Sequence, residues 1–395
     1  MNDDNIKINR LLEYVKGLKS NENGVELYNE YKDTIVNVNP QEAFEVFKML
    51  LDEGSKPNEI LVFLDKVINA FYKGLSSHKW KKPNNDNFLK DMYLENEGLV
   101  KKTDEIKELL KESDLKMKKE KIITKVTELE EFNDHYLKKE NILFPYMEKA
   151  APKFEGTKIM WSLHDVVRNL IKRTKEVLQD ENSTAQEVNV AIANLFFGIL
   201  GVKKKEELIL FPSACEVLSE RDWYEMHKQS LEYKFPFIHK NKDNEYDGNY
   251  MNEDFSKGVF KTETGQLTFD EIALIFNNLP VDMTFVDEDN KVRYFTRPKD
   301  RIFPRSPAVI GRNVNNCHPP ESVHVVEEII ESFRVGKEDS AKFWINVKGK
   351  MVLIQYFALR DSEGTYKGVL EVSQDITEIK SLEGERRLLK WGEQW

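Results

Sequence analysis

Two matched phrases decide the fold: KKENILFPYMEK, residues 138–149, and KKEELILFPSACE, residues 204–216. Each places a glutamate, Glu140 or Glu207, shortly before Leu-Phe-Pro. On a helical wheel of about 100° per residue, both glutamates fall on the apolar stripe of their helix, which predicts that they face the interior of a helical bundle. A buried carboxylate is costly unless it is paired, protonated or bound to a metal. Two in one interior therefore indicate a metal site or a compensating positive charge.

The polar residues around these glutamates allow both explanations. The wheel places His135 near the polar edge of the first helix and His164 at the margin of the apolar face of a third helix, while Lys203 is predicted to point inward. A metal interpretation uses four side chains: His135, Glu140, His164 and Glu207. In the alternative, the ammonium group of Lys203 lies between the two glutamates in place of a metal, and Tyr136 donates a hydrogen bond.

Composition and charge narrow the class of protein. The chain has 395 residues, of which 32% are charged and 40% hydrophobic, which is typical of a globular protein of two or three domains. A net charge of −10 gives no electrostatic bias towards nucleic acid or an anionic membrane, and neither is predicted as a partner. The N-terminus lacks a secretory-signal pattern, no apolar stretch is expected to span a bilayer, and the two distant cysteines form no disulfide framework. These features predict a cytoplasmic protein.

The periodicity of apolar residues predicts a multidomain α and α+β protein. Helical spacing dominates the first part of the chain, where Asn39, Pro40 and Glu42 have the pattern of a capped helix start. After a polar, glycine-containing segment, short β-prone runs predict a five-stranded antiparallel sheet, with a hairpin turn at Asp287–Asn290. The predicted parts are a small helical domain of unknown function at 1–76, an antiparallel helical bundle at 77–235, a linker at 236–262, an α+β domain at 263–380 and a C-terminal helix at 381–395.

Several phrases resemble one bacterial family: HYLKKENILFPYMEK, MWSLHDVVR, KKEELILFP, LPVDMTFVDEDNKVRYF and GVLEVSQDIT. In that family a helical domain of unknown function precedes a hemerythrin-like (HHE cation-binding) bundle and a C-terminal PAS domain. The resemblance implies His-x-x-x-Glu helices that hold a pair of non-haem irons, because residues four apart share one helical face. Here Tyr136 and Lys203 stand four residues before Glu140 and Glu207. We therefore expect a member that is degenerate at the metal site, with either no metal or a single non-haem iron.

The resemblance also implies what the third domain does. PAS domains bind small ligands against their sheet and pass a change in packing to a terminal helix, and they form homodimers. Cys317 and His318 precede a helix and are candidate PAS ligand residues, which keeps haem among the cofactor predictions. His324 lies on the polar face of that helix and is predicted to be solvated.

The sequence shows no Gly-x-Ser-x-Gly, phosphate-binding glycine loop, kinase signature or His-Glu-x-x-His motif. We therefore predict a non-catalytic sensory or regulatory protein with an unidentified signalling partner. A different class is kept open: a non-haem iron protein that binds or reduces oxygen, peroxide or nitric oxide. A haem sensor acting through the PAS domain is the second alternative.

Overall fold

The computed structural model describes residues 3–84, 86–111, 113–238, 258–299 and 301–385. They divide into two compact units. The helical unit contains residues 3–238 together with Ser306–Arg312 and Asn316–Val323. The sheet unit contains residues 258–305, Asn313–Asn315 and residues 324–385.

Twelve α-helices are described in the helical unit. They are α1 (Asp3–Lys19), α2 (Gly24–Ile35), α3 (Pro40–Asp52), α4 (Pro57–Ser77), α5 (Asn87–Leu109), α6 (Leu115–Glu128), α7 (Asn133–Lys138), α8 (Phe144–Ala150), α9 (Thr157–Gln179), α10 (Ala185–Lys205), α11 (Phe211–Val217) and α12 (Glu220–Ser230).

Local capping chemistry sets where helices begin. Helix α3 starts at Pro40, after Asn39. The Asn39 side chain accepts a hydrogen bond from the backbone N–H of Glu42 at 2.9 Å, and the Glu42 carboxylate accepts one from the backbone N–H of Asn39 at 2.9 Å. Thr184 and Glu187 form the same reciprocal capping box at the start of α10. Each box satisfies backbone donors that a helix end leaves unpaired.

A single hydrophobic core extends through the helical unit, from Leu11 in α1 to Trp223 in α12. Helices α3 and α4 approach the bundle closely enough for Phe44 and Phe154 to pack edge to face, with ring centroids 5.1 Å apart. The predicted domains at 1–76 and 77–235 thus lie in the same compact unit.

Two short π-helical segments interrupt the bundle helices, and each coincides with one of the matched phrases. The first, Lys139–Leu143, joins α7 to α8, and the second, Glu206–Leu210, joins α10 to α11. Both are followed by Phe-Pro, whose proline cannot donate a backbone hydrogen bond. A π-turn inserts an extra residue into the helical repeat and changes which side chains face inward, and such turns are frequent at functional sites.

Within the described ranges, one helical run, Ala185–Val217, is long and apolar enough to cross a membrane, by length and composition alone. This corrects the expectation that no stretch is long enough. A single run of this kind is weak evidence, because the core helix of a globular protein has the same composition. This run contributes the buried residues Ile192, Leu195 and Ile199 to the core.

The sheet unit is built on a five-stranded antiparallel sheet in the order β4-β3-β7-β6-β5. Its described elements are β1 (Val259–Thr262), β2 (Gly265–Thr268), α13 (Phe269–Asn278), β3 (Asp282–Asp287), β4 (Val292–Phe295), α14 (Val323–Arg334), β5 (Ser340–Val347), β6 (Lys350–Arg360), β7 (Tyr366–Asp375) and α15 (Thr377–Lys380).

The register puts side chains of one face in a row across the sheet. Glu371 on the central strand β7 lies opposite Thr284 on β3 and Tyr356 on β6, and all three are buried. The predicted hairpin joins β3 to β4 through Asn290, whose φ of 63° is a left-handed conformation that asparagine tolerates. The α+β class and the five-stranded sheet are as predicted.

Two sequence predictions lie largely outside the described residues. Of the predicted linker at 236–262, residues 239–257 are not described, and Val259–Thr262 forms strand β1 of a hairpin with β2 that was not predicted. Of the predicted C-terminal helix at 381–395, residues 386–395 are not described, and residues 381–385 are not helical.

Candidate functional site

Three buried glutamates form the centre of the bundle interior. Glu95 comes from α5, Glu140 from the first π segment and Glu206 from the second. Glu95 and Glu206 are fully buried, and Glu140 is 2% exposed. An unpaired carboxylate in such a place is strongly unfavourable, so each must have partners.

Each carboxylate has its own protein cation. The ion pairs are Lys138 with Glu95, Lys139 with Glu206 and Arg168 with Glu140. Both lysines are fully buried, while Arg168 is half-buried. The charges of three acids and three bases therefore balance within the bundle.

The Glu206 carboxylate is saturated with donors. Lys139 binds its Oε1 atom, while Asn96 Nδ2 donates to Oε2 at 3.0 Å. His135 Nε2 lies 3.2 Å from the same Oε2 atom, and His135 Nδ1 lies 2.8 Å from Glu95 Oε2. The imidazole thus links two carboxylates through both ring nitrogens. Each ring nitrogen of His135 therefore faces a carboxylate oxygen.

Glu140 has a separate set of partners. His164 Nδ1 lies 2.8 Å from Glu140 Oε1, and Arg168 Nη2 donates to the carboxylate at 3.0 Å. The Tyr136 ring stacks on the His164 ring, with centroids 4.3 Å apart and planes 12° from parallel. Lys139 Nζ lies 4.6 Å from the Tyr136 ring centroid, within the range of a cation–π contact. Tyr136 therefore lies between the two halves of the network.

Burial and the fixed charges determine which groups are ionised. Burial raises the pKa of Glu140, and the guanidinium of Arg168 opposes that shift. Burial would also raise the pKa of Glu206, but Lys139 and His135 outweigh it and hold this pKa below its usual value. Glu206 is therefore an ionised carboxylate inside the bundle.

Burial has the opposite effect on basic groups, because it lowers their pKa. Burial lowers the pKa of Lys138 and of Lys139, and in each case the carboxylate partner opposes the shift. Burial, with the charges of Lys139 and Arg168, lowers the pKa of His164 well below its ordinary value, so this imidazole is neutral. Its Nε2 atom has no hydrogen-bond partner among the described residues, and neither has the Tyr136 hydroxyl.

The donor set does not fit a metal pair. In the described part of the chain, no group of three or more His, Cys, Asp or Glu side chains is arranged to hold a metal ion. The ammonium groups of Lys138 and Lys139 lie against the carboxylates that a metal would need, and His135 is committed to two of them. Of the ring nitrogens of His135 and His164, the Nε2 atom of His164 has no hydrogen-bond partner among the described residues and would be available to a metal.

The structure corrects two predicted site residues. Glu207 is not interior: its side chain is 27% exposed and pairs with Lys203 Nζ at 2.7 Å, one turn earlier on the same helix. Glu206 occupies the interior instead. The buried stripe of α10 is Val188, Ile192, Leu195, Ile199 and Val202, and Glu206 lies four residues after Val202. Phe196 and Leu200, which a uniform helical wheel places on the same stripe as Glu207, are only half-buried.

The other predicted bundle residues lie in the interior, but the Tyr136 hydroxyl does not donate the predicted hydrogen bond to any described residue. Glu140, His164 and Tyr136 are buried and in contact, and His135 is fully buried although the wheel placed it near the polar edge. Glu95, Lys138 and Lys139 were not identified from the sequence. An adjacent Lys-Lys pair normally indicates a solvated face, so its burial required the tertiary structure.

Family models match both halves of the chain. The model of the hemerythrin HHE cation binding domain matches residues 87–214, and the model of a PAS domain matches residues 272–377. The chain thus combines a hemerythrin HHE domain with a C-terminal PAS domain. No curated protein matches it.

Three solved structures each resemble about a quarter to a third of the chain. A C-terminal domain from Streptococcus mutans is 34% identical, covers 32% of this chain and 98% of its own, and has a TM-score of 0.31. The PAS domain of a Colwellia psychrerythraea protein is 17% identical over 28% of this chain and 97% of its own, with a TM-score of 0.23. A sensory box sensor histidine kinase from Vibrio cholerae is 16% identical over 27% of this chain and 89% of its own, with a TM-score of 0.22.

The hemerythrin and PAS domains together support a sensory role.

In the sheet unit, a cleft of about 540 Å³ lies where β7 meets α15. Asp375, the last residue of β7, accepts hydrogen bonds from the Thr377 hydroxyl at 2.6 Å and from the Thr377 backbone N–H at 3.0 Å, and it pairs with Lys350 at 3.0 Å. Thr377 is the main reason that the pKa of Asp375 falls to about 2.

Cys317 and His318 do not belong to the sheet unit. The segment Asn316–Val323 falls inside the PAS match in sequence but belongs to the helical unit in the structure. Cys317 is near enough to Arg312 to influence its pKa, and Arg312 lies in the same unit. These two residues therefore do not mark a ligand pocket of the sheet. His324 is exposed, as predicted.

Arg312 forms a second guanidinium–carboxylate contact in the helical unit, besides that of Arg168 with Glu140. Its Nε and Nη2 atoms donate to the Glu148 carboxylate at 2.8 and 2.7 Å, and both side chains are nearly buried. Its Nη1 atom donates to the backbone carbonyl of Glu140 at 3.0 Å. The segment Ser306–Arg312 is thus held against the first π segment, next to the charged network.

Proposed function

We propose that this hemerythrin–PAS protein is a cytoplasmic sensory or regulatory protein without catalytic activity. Its PAS domain binds a small-molecule ligand or forms a homodimer, and its bundle is a degenerate hemerythrin-like domain that holds no metal. The signal is passed on to an unidentified protein partner. Nucleic acid and membrane are not partners in this proposal.

The observation that carries this proposal is the pairing of every central carboxylate with a protein cation. Redox chemistry on oxygen, peroxide or nitric oxide at a di-iron centre needs several free carboxylate and imidazole donors. Here Glu95, Glu206 and His135 are already engaged with one another and with buried lysines. The arrangement favours a rigid polar core over a reactive centre.

The sheet unit offers two places where a signal could enter. The cleft beside α15 is bordered by polar side chains, so a ligand there would contact the last strand and the exit helix together. The second place is the outer face of the sheet, through which two copies of the protein would associate. Trp344, 62% exposed, lies across from Leu353 in the register, and Phe357 shares that face. Such an apolar face is typical of a protein-binding surface.

Metal analysis together with an absorption spectrum of anaerobically purified full-length protein tests the proposal. We expect substoichiometric iron, manganese and zinc and no visible bands. Stoichiometric iron with oxo-bridge bands would overturn it in favour of an iron protein. A Soret band would replace it with a haem sensor.

Light scattering tests the proposed homodimerisation through the PAS domain. Trp344→Glu is expected to convert a dimer to a monomer, because a charge cannot be buried unpaired at the centre of an apolar interface. Val62→Glu is the matched control, since Val62 is an exposed apolar residue of α4 in the helical unit. Equal effects of both substitutions, or a wild-type monomer at all concentrations, would remove homodimerisation from the proposal.

A further inference from the structure

The two matched phrases place Lys139 and Glu206 at equivalent positions. Each is the first residue of its five-residue π segment, and each stands four residues before the leucine of Leu-Phe-Pro. Two helices related in this way present corresponding side chains to the same interior. Here one of the two positions is positive and the other negative, and the side chains are in direct contact.

The residues around this pair are those of a carboxylate-rich ion site. Glu206 and Glu95 approach from two helices, His135 lies between them, and Asn96 supplies an amide at 3.0 Å. Carboxylate oxygens with imidazole nitrogens are a donor set for divalent manganese, iron or cobalt. The ammonium group of Lys139 occupies the contact on Glu206 that such an ion would make.

The buried position of Lys139 separates this pair from ordinary surface pairs. Both Lys139 and Glu206 are fully buried, whereas the nearby pair Lys203–Glu207 is about a quarter exposed on both sides. A lysine placed in an interior at the cost of its desolvation must be balanced by a specific charge. That charge is Glu206.

We infer that Lys139 is a built-in cation that keeps a divalent-metal site closed, and that an acidic side chain at position 139 reopens it. The inference rests on the proposed function in taking the wild-type bundle as metal-free. It goes further by naming the residue responsible and the class of ion, a divalent transition metal, that the altered site accepts. Lys138 and Arg168 complete the internal charge balance at the two flanking carboxylates.

Cobalt(II) titration of full-length Lys139→Glu, followed by its visible ligand-field bands and by equilibrium dialysis, tests the inference. We expect stoichiometric uptake by Lys139→Glu, and a melting temperature that is lower than wild type without metal and rises when cobalt is added. Wild type and Lys203→Met are expected to show neither uptake nor a cobalt-dependent shift. Adding His135→Ala to Lys139→Glu should abolish uptake, because it removes the shared nitrogen donor.

A second variant is measured in case Lys139→Glu does not fold. Lys139→Gln/Glu206→Gln removes both charges, and we expect it to fold and to bind no cobalt. If this variant is unfolded as well, Lys139 serves packing and the inference is wrong. It is equally wrong if folded Lys139→Glu takes up no cobalt. Stoichiometric cobalt in wild type that persists in Lys203→Met would instead overturn the metal-free bundle of the proposed function, so the two failures are distinguishable.

Discussion

The substitution Lys139→Met is expected to destabilise the helical unit strongly. It leaves Glu206 ionised and fully buried, with only Asn96 and His135 as partners. Removing one member of a buried ion pair costs about 3–5 kcal/mol, because the remaining charge is uncompensated. Lys203→Met removes a partly exposed pair between residues four apart in sequence, which is worth about 0.3–0.5 kcal/mol. The two lysine variants should therefore differ by roughly tenfold in free energy.

The double variant Lys139→Met/Glu206→Gln isolates the charge. Glutamine still accepts a hydrogen bond from Asn96 but carries no charge, so most of the lost stability should return. The coupling between positions 139 and 206 in this cycle should be at least about 2 kcal/mol, which exceeds the usual additivity error.

Urea unfolding followed by far-ultraviolet circular dichroism measures these effects, since the helical unit supplies nearly all of the helix. The buffer contains a chelator, so that metal uptake cannot mask the loss. The reasoning is refuted if Lys139→Met and Lys203→Met have similar midpoints. It is also refuted if the double variant is no more stable than Lys139→Met, because the loss would then come from packing.

Three further outcomes are expected. Arg312→Lys should lower stability by about 1.5–3 kcal/mol in urea unfolding, because an ammonium cannot reproduce the two-pronged contact with Glu148, and Glu148→Gln should cost a similar amount; a change below about 0.5 kcal/mol in both would contradict this. Burial raises the pKa of the Cys215 thiol to about 12, so iodoacetamide at pH 8, followed by mass spectrometry, should label it far more slowly than glutathione, and equal rates would disprove its burial. Gly74→Ala should cost about 1–3 kcal/mol in the same unfolding assay, because its Cβ would lie 2.6 Å from the backbone oxygen of Val38. Wild-type stability would mean that the connection between α2 and α3 can move away from α4 there.

Short-range patterns were sufficient for the fold class and for some local features. The capping box at Asn39 and Glu42 and the turn at Asn290 depend on residues within a few positions of one another, so their local chemistry predicts their structure. The family resemblance predicted the order of hemerythrin-like bundle and PAS domain, which the family models confirm. The hairpin of β1 and β2 was missed, because Val259–Thr262 directly follows a polar stretch and was included in the predicted linker.

The choice of interior glutamate could not be made from a uniform wheel. The wheel assumes a constant rotation per residue, whereas the π segments at Lys139–Leu143 and Glu206–Leu210 change the phase at the residues in question. A one-residue error follows, and it selects the partly exposed Glu207 in place of the buried Glu206.

The sequence by itself determined that the bundle carries matched acidic helices, that the expected histidines are absent from both, and that a protein cation is available nearby. Only the tertiary structure decided that this cation is Lys139 and not Lys203, and that its partner Glu206 shares His135 with Glu95. The physical reason is that ion pairing in an interior depends on distances between atoms of different helices. Helical periodicity describes one helix at a time and contains no information on those distances.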